Sequence, residues 1–258
     1  MSIKELKKKY KQVYKLSDGN YMVSTKSQKE VSPVEYYAHT NIDEVYGLEG
    51  EWGIVDKNDK VIIKPKYIYP FIECGDNYQV MLLDEEKEID GVKRIICLKH
   101  GLIDKNGKVI IPIKYLYMEE MDNLGTYFRV ADPNTYKSGV IDKNNKIVIP
   151  FNYSYIQASP DLELMKHEKN HDIYPIDIYQ VKVSNNDLYG IYDLKLKKEI
   201  ISPKYGYIKV IYYNRFLIGK DYDNCNTLID EKENIIVKDI NDTNSMIQLY
   251  QRCKDGII

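Results

Sequence analysis

The chain has 258 residues, of which 43% are hydrophobic and 29% are charged, and its formal net charge is −2. This composition excludes an intrinsically disordered chain, and the balanced charge offers no global attraction to nucleic acid or to an anionic membrane. The four cysteines lie far apart and include no Cys-x-x-Cys pair. We therefore expect free thiols in a reducing cytoplasm rather than a zinc site or a disulfide framework.

The first predicted element is a short amphipathic helix within residues 1–16. Its apolar residues recur at helical spacing among lysines: Ile3, Leu6, Tyr10 and Val13. This spacing places them on one face, and we expect the helix to cap the segment that follows. We expect no membrane partner, because the N-terminus lacks the apolar segment of a signal peptide and no apolar run approaches the roughly 20 residues of a membrane span.

A repeated phrase dominates the rest of the chain. In the clear copies a glycine, two apolar residues and an aspartate are followed by a polar turn, a β-branched run, Pro and Tyr. The clear copies are residues 52–67, 101–115 and 139–153, the degraded copies are 190–205 and 227–241, and a faint copy is 21–36. Such repetition indicates an architecture built from one small unit.

Each copy has the local chemistry of a β-hairpin. In the second copy the polar turn is Lys105–Lys108 with Asn-Gly at its centre, for which we predict a type I′ turn with two positive φ angles. An aspartate precedes every turn, where its carboxylate can accept hydrogen bonds from turn amides. We therefore assign a structural rather than a catalytic role to five aspartates: Asp56, Asp104, Asp142, Asp193 and Asp230.

An apolar, aromatic stretch precedes each copy, so the unit contains three or four meandering strands. We predict an all-β repeat protein of antiparallel hairpin units, β-propeller-like, with an open solenoid-like β array as the alternative. It forms a single repeat domain over residues 1–258. Its predicted parts are the capping helix at 1–16, a degenerate repeat at 20–50, the repeats at 51–245 and a partial closing repeat at 246–258, whose strands are 247–252 and 256–258.

Two insertions interrupt the regular spacing of the copies. They are residues 84–94, which are rich in charge, and residues 159–178, which contain two prolines. We predict that both are surface loops. Loops on a repeat scaffold are common places for specific contacts.

The phrase resembles the WG repeat, also called KWG, of many bacterial proteins. That repeat runs from Trp-Gly through an Ile-Asp pair and Lys-x-Gly-Lys to Pro-x-x-Tyr, and residues 52–67 and 101–115 match it best. The namesake Trp is kept at Trp52 and replaced in later copies by His100, Ser138, Tyr189 and Asn226. The resemblance implies a β-rich repeat fold and, by analogy, a scaffold for protein contacts. We interpret the drift at the Trp position as divergence for one partner.

No motif in the sequence points to an enzyme. Glycine-rich phosphate loops and nucleophile elbows are missing, and no Ser or Cys has an attendant His. His167 and His171 have a spacing that could hold a metal on a helix, but no second cluster accompanies them and they lie in a lysine-rich insertion. We therefore predict no catalytic residue, no cofactor and no metal.

Tyrosine is the unusual residue of this chain, with 25 copies against four phenylalanines and one tryptophan. Four copies of the phrase end in Tyr-x-Tyr, and we expect both rings of each pair to project from one face of a strand. The first Tyr is interpreted as core, and the second is either core as well or part of an aromatic contact surface. The predicted partner-binding residues are Tyr69, Tyr117, Tyr155, Tyr207, His167, His171, Glu85 and Lys87.

The leading functional hypothesis is a non-enzymatic protein-binding module, such as an inhibitor or immunity protein that blocks its partner. The first alternative is nucleic-acid binding through the lysine-rich turns. The second is a propeller that binds or hydrolyses glycans. The sequence carries no signal for the oligomeric state.

Overall fold

The computed structural model describes residues 3–26, 51–89, 92–121, 125–157, 180–240 and 244–258, with side chains described except at 85–97 and 244–247. Within these ranges it contains five antiparallel sheets of four strands each and two helices. The predicted all-β repeat protein with a short N-terminal helix is confirmed. The choice between a propeller-like and an open arrangement of the sheets stays a prediction.

The elements follow the chain in order. Helix α1 (Ile3–Lys9) precedes the first sheet, which contains β1 (Gln12–Lys15), β2 (Tyr21–Ser24), β3 (Trp52–Val55) and β4 (Val61–Tyr67). The second contains β5 (Ile72–Cys74), β6 (Asn77–Ile89), β7 (Val92–Asp104) and β8 (Val109–Tyr115), and the third β9 (Tyr117–Glu120), β10 (Tyr127–Ala131), β11 (Ser138–Asp142) and β12 (Ile147–Tyr153). The fourth contains β13 (Tyr155–Gln157), β14 (Gln180–Asn185), β15 (Leu188–Asp193) and β16 (Lys198–Tyr205). The fifth contains β17 (Tyr207–Tyr212), β18 (Arg215–Gly219), β19 (Cys225–Asp230) and β20 (Ile235–Val237), and helix α2 (Asn244–Lys254) follows it.

In every sheet the four strands are neighbours in chain order. The repeated phrase supplies the third and fourth strands, and the apolar stretch before it supplies the second. The first strand begins just after the preceding phrase ends. Each sheet therefore has a turn end, where the aspartate-containing turn lies, and a junction end, where the fourth strand leads to the next sheet.

The chain divides into two compact units. The first comprises Met1–Asn134 with Asp142–Lys146, and the second comprises Thr135–Ile141 with Ile147–Ile258. In the first unit Trp52, Ile54 and Tyr67 of the first sheet pack with Tyr78 and Ile103 of the second. In the second unit the apolar side chains of the fourth and fifth sheets form the equivalent core.

The aspartate turn is a type I turn followed by one left-handed residue. The amide of Gly107 donates to the carbonyl of Asp104 at 3.0 Å, and Gly107 has a φ of +85°, whereas Asn106 is not among the residues with positive φ. The predicted type I′ turn is therefore wrong, because the loop has three residues and needs one left-handed position. The same left-handed position is filled in other copies by Asp59, Asn145 and Glu233.

The glycine of the phrase is required by a close approach of the fourth strand. The pairing of β7 with β8 changes register between His100 and Leu102, and a Cβ on Gly101 would lie 2.8 Å from the carbonyl oxygen of Ile111. The fifth sheet is the exception. It has Thr227 at this position, and its fourth strand β20 ends at Val237.

A helix covers one face of the first sheet and one face of the fifth. Leu6 and Tyr10, in and just after α1, pack on Val23 and Val55, and Leu249 of α2 belongs to a cluster on the other end sheet. Two predicted boundaries are wrong. The N-terminal helix ends at Lys9 and residues 12–15 form a strand, while residues 244–254 are helical where strands of a closing repeat were expected at 247–252. The first sheet obtains all four of its strands from residues 12–67.

Candidate partner-binding surfaces

At the turn end the repeated aspartates hold the loop amides, as predicted. Oδ1 of Asp104 accepts hydrogen bonds from the amides of Asn106 and Lys108 at 2.9 and 2.8 Å. Both bonds recur at Asp56, Asp142 and Asp230. At Asp56 the bonds from the amides of Lys60 and Asn58 lower the pKa of the carboxyl below its usual value. These carboxylates therefore have a structural role, as acceptors of hydrogen bonds from the turn amides.

Asp193 is the copy that departs from this geometry. Its turn is one residue longer, and its side chain is fully buried. It accepts a bond from the amide of Leu196 at 2.8 Å and from Nε2 of Gln180 at 3.3 Å, and Gln180 in turn contacts Asn214 through both of its polar atoms. Because the partners satisfy one another, this cluster is a structural link between the fourth and fifth sheets.

The Tyr-x-Tyr pairs span the junction between sheets. Tyr115, Tyr153 and Tyr205 end the fourth strand of one sheet, and after a single residue Tyr117, Tyr155 and Tyr207 begin the first strand of the next. Tyr69 lies between β4 and β5. The expectation that both rings project from one face of one strand is therefore wrong, because the two residues belong to different strands.

The first tyrosine of each pair, here called the terminal tyrosine, is directed into the protein. Tyr67, Tyr115 and Tyr153 are at most 5% exposed. Tyr115 donates to Oδ1 of Asn145 at 2.7 Å, and Tyr205 donates to Oε2 of Glu233 at 2.6 Å. Burial and the Glu233 carboxylate raise the pKa of Tyr205 to about 12. Tyr115 and Tyr205 thus bond the turn of the following sheet.

The second tyrosines remain at least partly accessible. Tyr69, Tyr117 and Tyr207 are half-buried, and Tyr155 is 44% exposed. The guanidinium of Arg129 lies 4.9 Å from the centre of the Tyr117 ring and donates to its hydroxyl at 2.9 Å. Arg129 also pairs with Glu119 at 2.5 Å. The contacts of Tyr117 with Arg129 therefore lie within its own sheet, whereas Tyr155 and Tyr207 lie among other tyrosines.

Four tyrosines and one lysine form a continuous surface in the second unit, which we call the tyrosine patch. Its members are Tyr155, Lys182, Tyr189, Tyr207 and Tyr222. Tyr155 and Tyr189 both pair with Ser184, so they lie on one rung of the fourth sheet. Nζ of Lys182 lies 5.0 Å from the centre of the Tyr189 ring and 5.8 Å from that of Tyr207. Tyr222, 68% exposed, packs edge-on against Tyr207 at 5.5 Å.

The tyrosine patch has the chemistry of a protein contact surface. Tyrosine presents a large ring that loses little conformational entropy on binding, and its hydroxyl can exchange water for a partner. The ring of Tyr207 lies close to both the Lys182 ammonium group and the ring of Tyr222. Sequence reasoning selected Tyr155 and Tyr207 and missed Lys182, Tyr189 and Tyr222, although Tyr189 carries a signal because it replaces the repeat Trp.

A second feature, in the first unit, is the long hairpin of β6 and β7. Residues 82–89 and 92–99, here called the hairpin arm, extend beyond the sheet, since β5 pairs only as far as Gln79 and β8 only as far as His100. The predicted loop at 84–94 is therefore wrong for most of its length, because 84–89 and 92–94 are strands. Glu85 and Lys87 lie on the β6 side of the arm, opposite Cys97 and Arg94.

His100 shows what replaces tryptophan in a repeat. Trp52 is fully buried, and His100 at the equivalent position is 5% exposed. Its Nδ1 lies 3.5 Å from Nε2 of Gln79, and its Nε2 has no hydrogen-bond partner among the described residues. Burial lowers the pKa of His100 to about 4, so the imidazole is neutral near pH 7. This ring fills a core position, as predicted.

The remaining predicted site residues are His167 and His171, which lie outside the described residues. In the part of the chain that the structure describes, no three or more His, Cys, Asp or Glu side chains are grouped so that they could hold a metal ion. Neither described helix has the length and apolar character needed to cross a bilayer.

The segments that match a known family follow the division of the chain into sheets. Three segments match the family model described as WG containing repeat: residues 52–75, 101–130 and 139–159. Each match begins in a third strand and runs through the fourth strand and the junction. None of the curated proteins matches the chain. The matched segments coincide with the repeated phrase of the first three sheets, and the chain is a WG-repeat protein.

Proposed function

We propose that this WG-repeat protein is a non-enzymatic protein-binding module that contacts its partner through the tyrosine patch. The observation that carries the proposal is the exposure of Tyr155 and Tyr222, at 44% and 68%, in continuity with the ordered rings of Tyr189 and Tyr207. Surface residues that are large, apolar and contiguous are characteristic of interaction sites. Tyrosine is also among the residues most enriched in binding hot spots.

The inhibitor or immunity role is the form of binding that we favour. Tyr155, Tyr189 and Tyr207 stand on strands, which hold their side chains in place, so binding through them costs little ordering and can block a partner tightly. We place this activity in the cytoplasm of a bacterial cell. The three described cysteines, Cys74, Cys225 and Cys253, are free thiols, which supports a reducing compartment.

The nucleic-acid alternative has less support from the turns. In the turns of the three clear copies two lysines flank Asn-Asp, Asn-Gly or Asn-Asn, and Lys105 is already occupied. Its Nζ pairs with Glu73 at 3.4 Å and lies 3.9 Å from the centre of the Tyr78 ring. A phosphate would have to compete with these contacts. The net charge of −2 adds no long-range attraction.

The test compares retained proteins across matched variants. Immobilised wild type, Y155S/Y222S and Y136S are exposed to a lysate of the source cells, and bound proteins are identified by mass spectrometry. Tyr136 is the control because it is 66% exposed but lies outside the tyrosine patch. We expect a protein retained by wild type and Y136S and lost with Y155S/Y222S. Equal retention by all three would refute the role of the patch.

A further inference from the structure

Within the part of the chain that the structure describes, the hairpin arm is a two-stranded ribbon, and no third strand pairs with its β6 edge. Within the described ranges the second sheet contains only β5 to β8, and neither β5 nor β8 reaches the arm. The equivalent connection in the fourth sheet is the two-residue turn Asn186–Asp187. Two isolated strands are marginally stable in water, so the arm gains most from a third strand.

The two edges of the arm differ in charge. Residues 84–88 of β6 read Asp-Glu-Glu-Lys-Glu, whereas β7 has basic residues at 93, 94 and 99. Within the ladder Glu88 pairs with Lys93, and Asp84 forms an ion pair with Lys99 at 2.8 Å. Glu85 and Glu86, in contrast, stand opposite Cys97 and Ile95. The register therefore places no basic residue directly across from these two glutamates.

We propose that the β6 edge of the hairpin arm binds an extended basic segment of a partner protein by strand addition. This deepens the protein-binding function and rests on it. An added strand pairs its backbone with residues 84–88 and places its side chains opposite Glu85, Glu86 and Glu88, at the distance of cross-strand pairs. Backbone pairing provides the affinity, and the carboxylates select Lys or Arg.

The charges argue against a symmetric pairing of two β6 edges from two copies of this chain. Two β6 edges would bring 84–88 of one copy against the same acidic residues of the other, and like charges across a ladder are destabilising. Charged edges are a common means of preventing self-pairing. A basic partner strand removes this repulsion.

The experiment measures peptide binding to wild type and to an arm-shortened variant. In the variant, Asn-Asp replaces residues 83–98, so that Leu82 and Lys99, already paired, are joined by the turn found at 186–187. The probe is a fluorescent peptide of about twelve residues that alternates Lys or Arg with Val or Thr. The control peptide has the same basic residues with Pro in place of Val and Thr, so it keeps the charge but cannot add to a ladder.

We expect wild type to bind the alternating peptide at least about tenfold more tightly than the proline peptide, and the shortened variant to lose that preference. Amide exchange at 84–88 slows on binding, and E85K/E86K/E88K transfers the preference to a Glu-for-Lys peptide. Equal binding of the two basic peptides, equal binding by the shortened variant, no binding at all, or arm-dependent dimerisation would each overturn the proposal.

The outcome is separable from that of the proposed function. The shortened variant retains every residue of the tyrosine patch. If it still captures the partner that Y155S/Y222S loses, the patch proposal stands and the strand-addition proposal fails. If it captures the partner as poorly as the patch variant does, both surfaces take part.

Discussion

The hydroxyl of Tyr10 donates a hydrogen bond of 3.0 Å to Oδ1 of Asp59, the left-handed residue of the first aspartate turn. In later repeats Asn145 and Glu233 occupy this position and receive the same bond from the terminal tyrosine of the preceding sheet. Tyr10 follows helix α1 and belongs to no repeat. The N-terminal segment therefore supplies the tyrosine that a preceding sheet would otherwise provide.

Replacing Tyr10 with Phe tests this capping role. The substitution keeps the buried ring and removes one hydrogen bond, so we expect the free energy of unfolding to fall by about 1 kcal/mol. Y14F is the control, since Tyr14 is 46% exposed and does not take the place of a terminal tyrosine at an aspartate turn. Urea denaturation of both variants gives the comparison, and an equal loss in the two would contradict the capping role.

The glycine of the phrase leads to a second prediction. In G101A the new methyl group would lie 2.7 Å from Cα of Ile113 and 2.8 Å from the carbonyl oxygen of Ile111, so strand β8 must move. We expect a loss of about 2 kcal/mol or more in the free energy of unfolding, as for other overpacked sites. T227A changes the equivalent residue of the fifth sheet, which already carries a Cβ, and should cost clearly less. Thermal unfolding of the two variants shows whether the close approach of the fourth strand causes the loss of stability in G101A.

These glycine and aspartate positions show what the sequence could predict. Their roles depend on a hairpin only a few residues long, so local chemistry was sufficient for the turn support of Asp104 and for the strands on either side of it. The turn type was missed because Asn-Gly occurs both in two-residue loops and in three-residue loops with one left-handed residue. The difference is one position in the register, which a single repeat does not reveal.

The failures concern the limits of the sheets and their longer connections. The strand expected at 247–252 is replaced by helix α2, in which Leu249, Tyr250 and Cys253 have the spacing of a helical face and are all buried on the fifth sheet. The loop expected at 84–94 from its high charge is mostly strand, since its residues pair across β6 and β7. The tyrosine patch needed the fold, since Tyr155 and Tyr222 are 67 positions apart in the numbering.

His100 predicts a pH dependence of stability. Burial lowers its pKa from 6.5 to about 4 in the folded protein, so the unfolded chain binds the proton more readily. The stabilisation is fully present above pH 6.5 and is lost progressively as the pH falls towards 4, by about 3 kcal/mol in total. We expect urea midpoints of the wild type to decrease between pH 6.5 and 5.

The variant H100F separates this effect from that of the acidic groups. Asp59 and Glu233 have pKa values lowered by bonds from Lys9 and Lys204, so their contributions are lost below pH 4.5. Between pH 6.5 and 5 the stability of H100F should therefore be nearly constant. A decrease as steep as that of the wild type would assign the dependence to another group.

The last prediction contrasts two copies of the same aspartate. In D142A the amides of Asn144 and Lys146 lose their acceptor but turn to water, because the loop is exposed, and we expect a cost of about 1 kcal/mol. In D193A the fully buried Gln180 also loses a partner and has no access to solvent, which raises the expected cost to about 3 kcal/mol. Urea titrations of the two variants measure the difference. Equal costs would mean that Asp193 supports only its turn and that Gln180 finds another partner. A larger cost for D193A would mean that Asp193, through Gln180, links the fourth and fifth sheets.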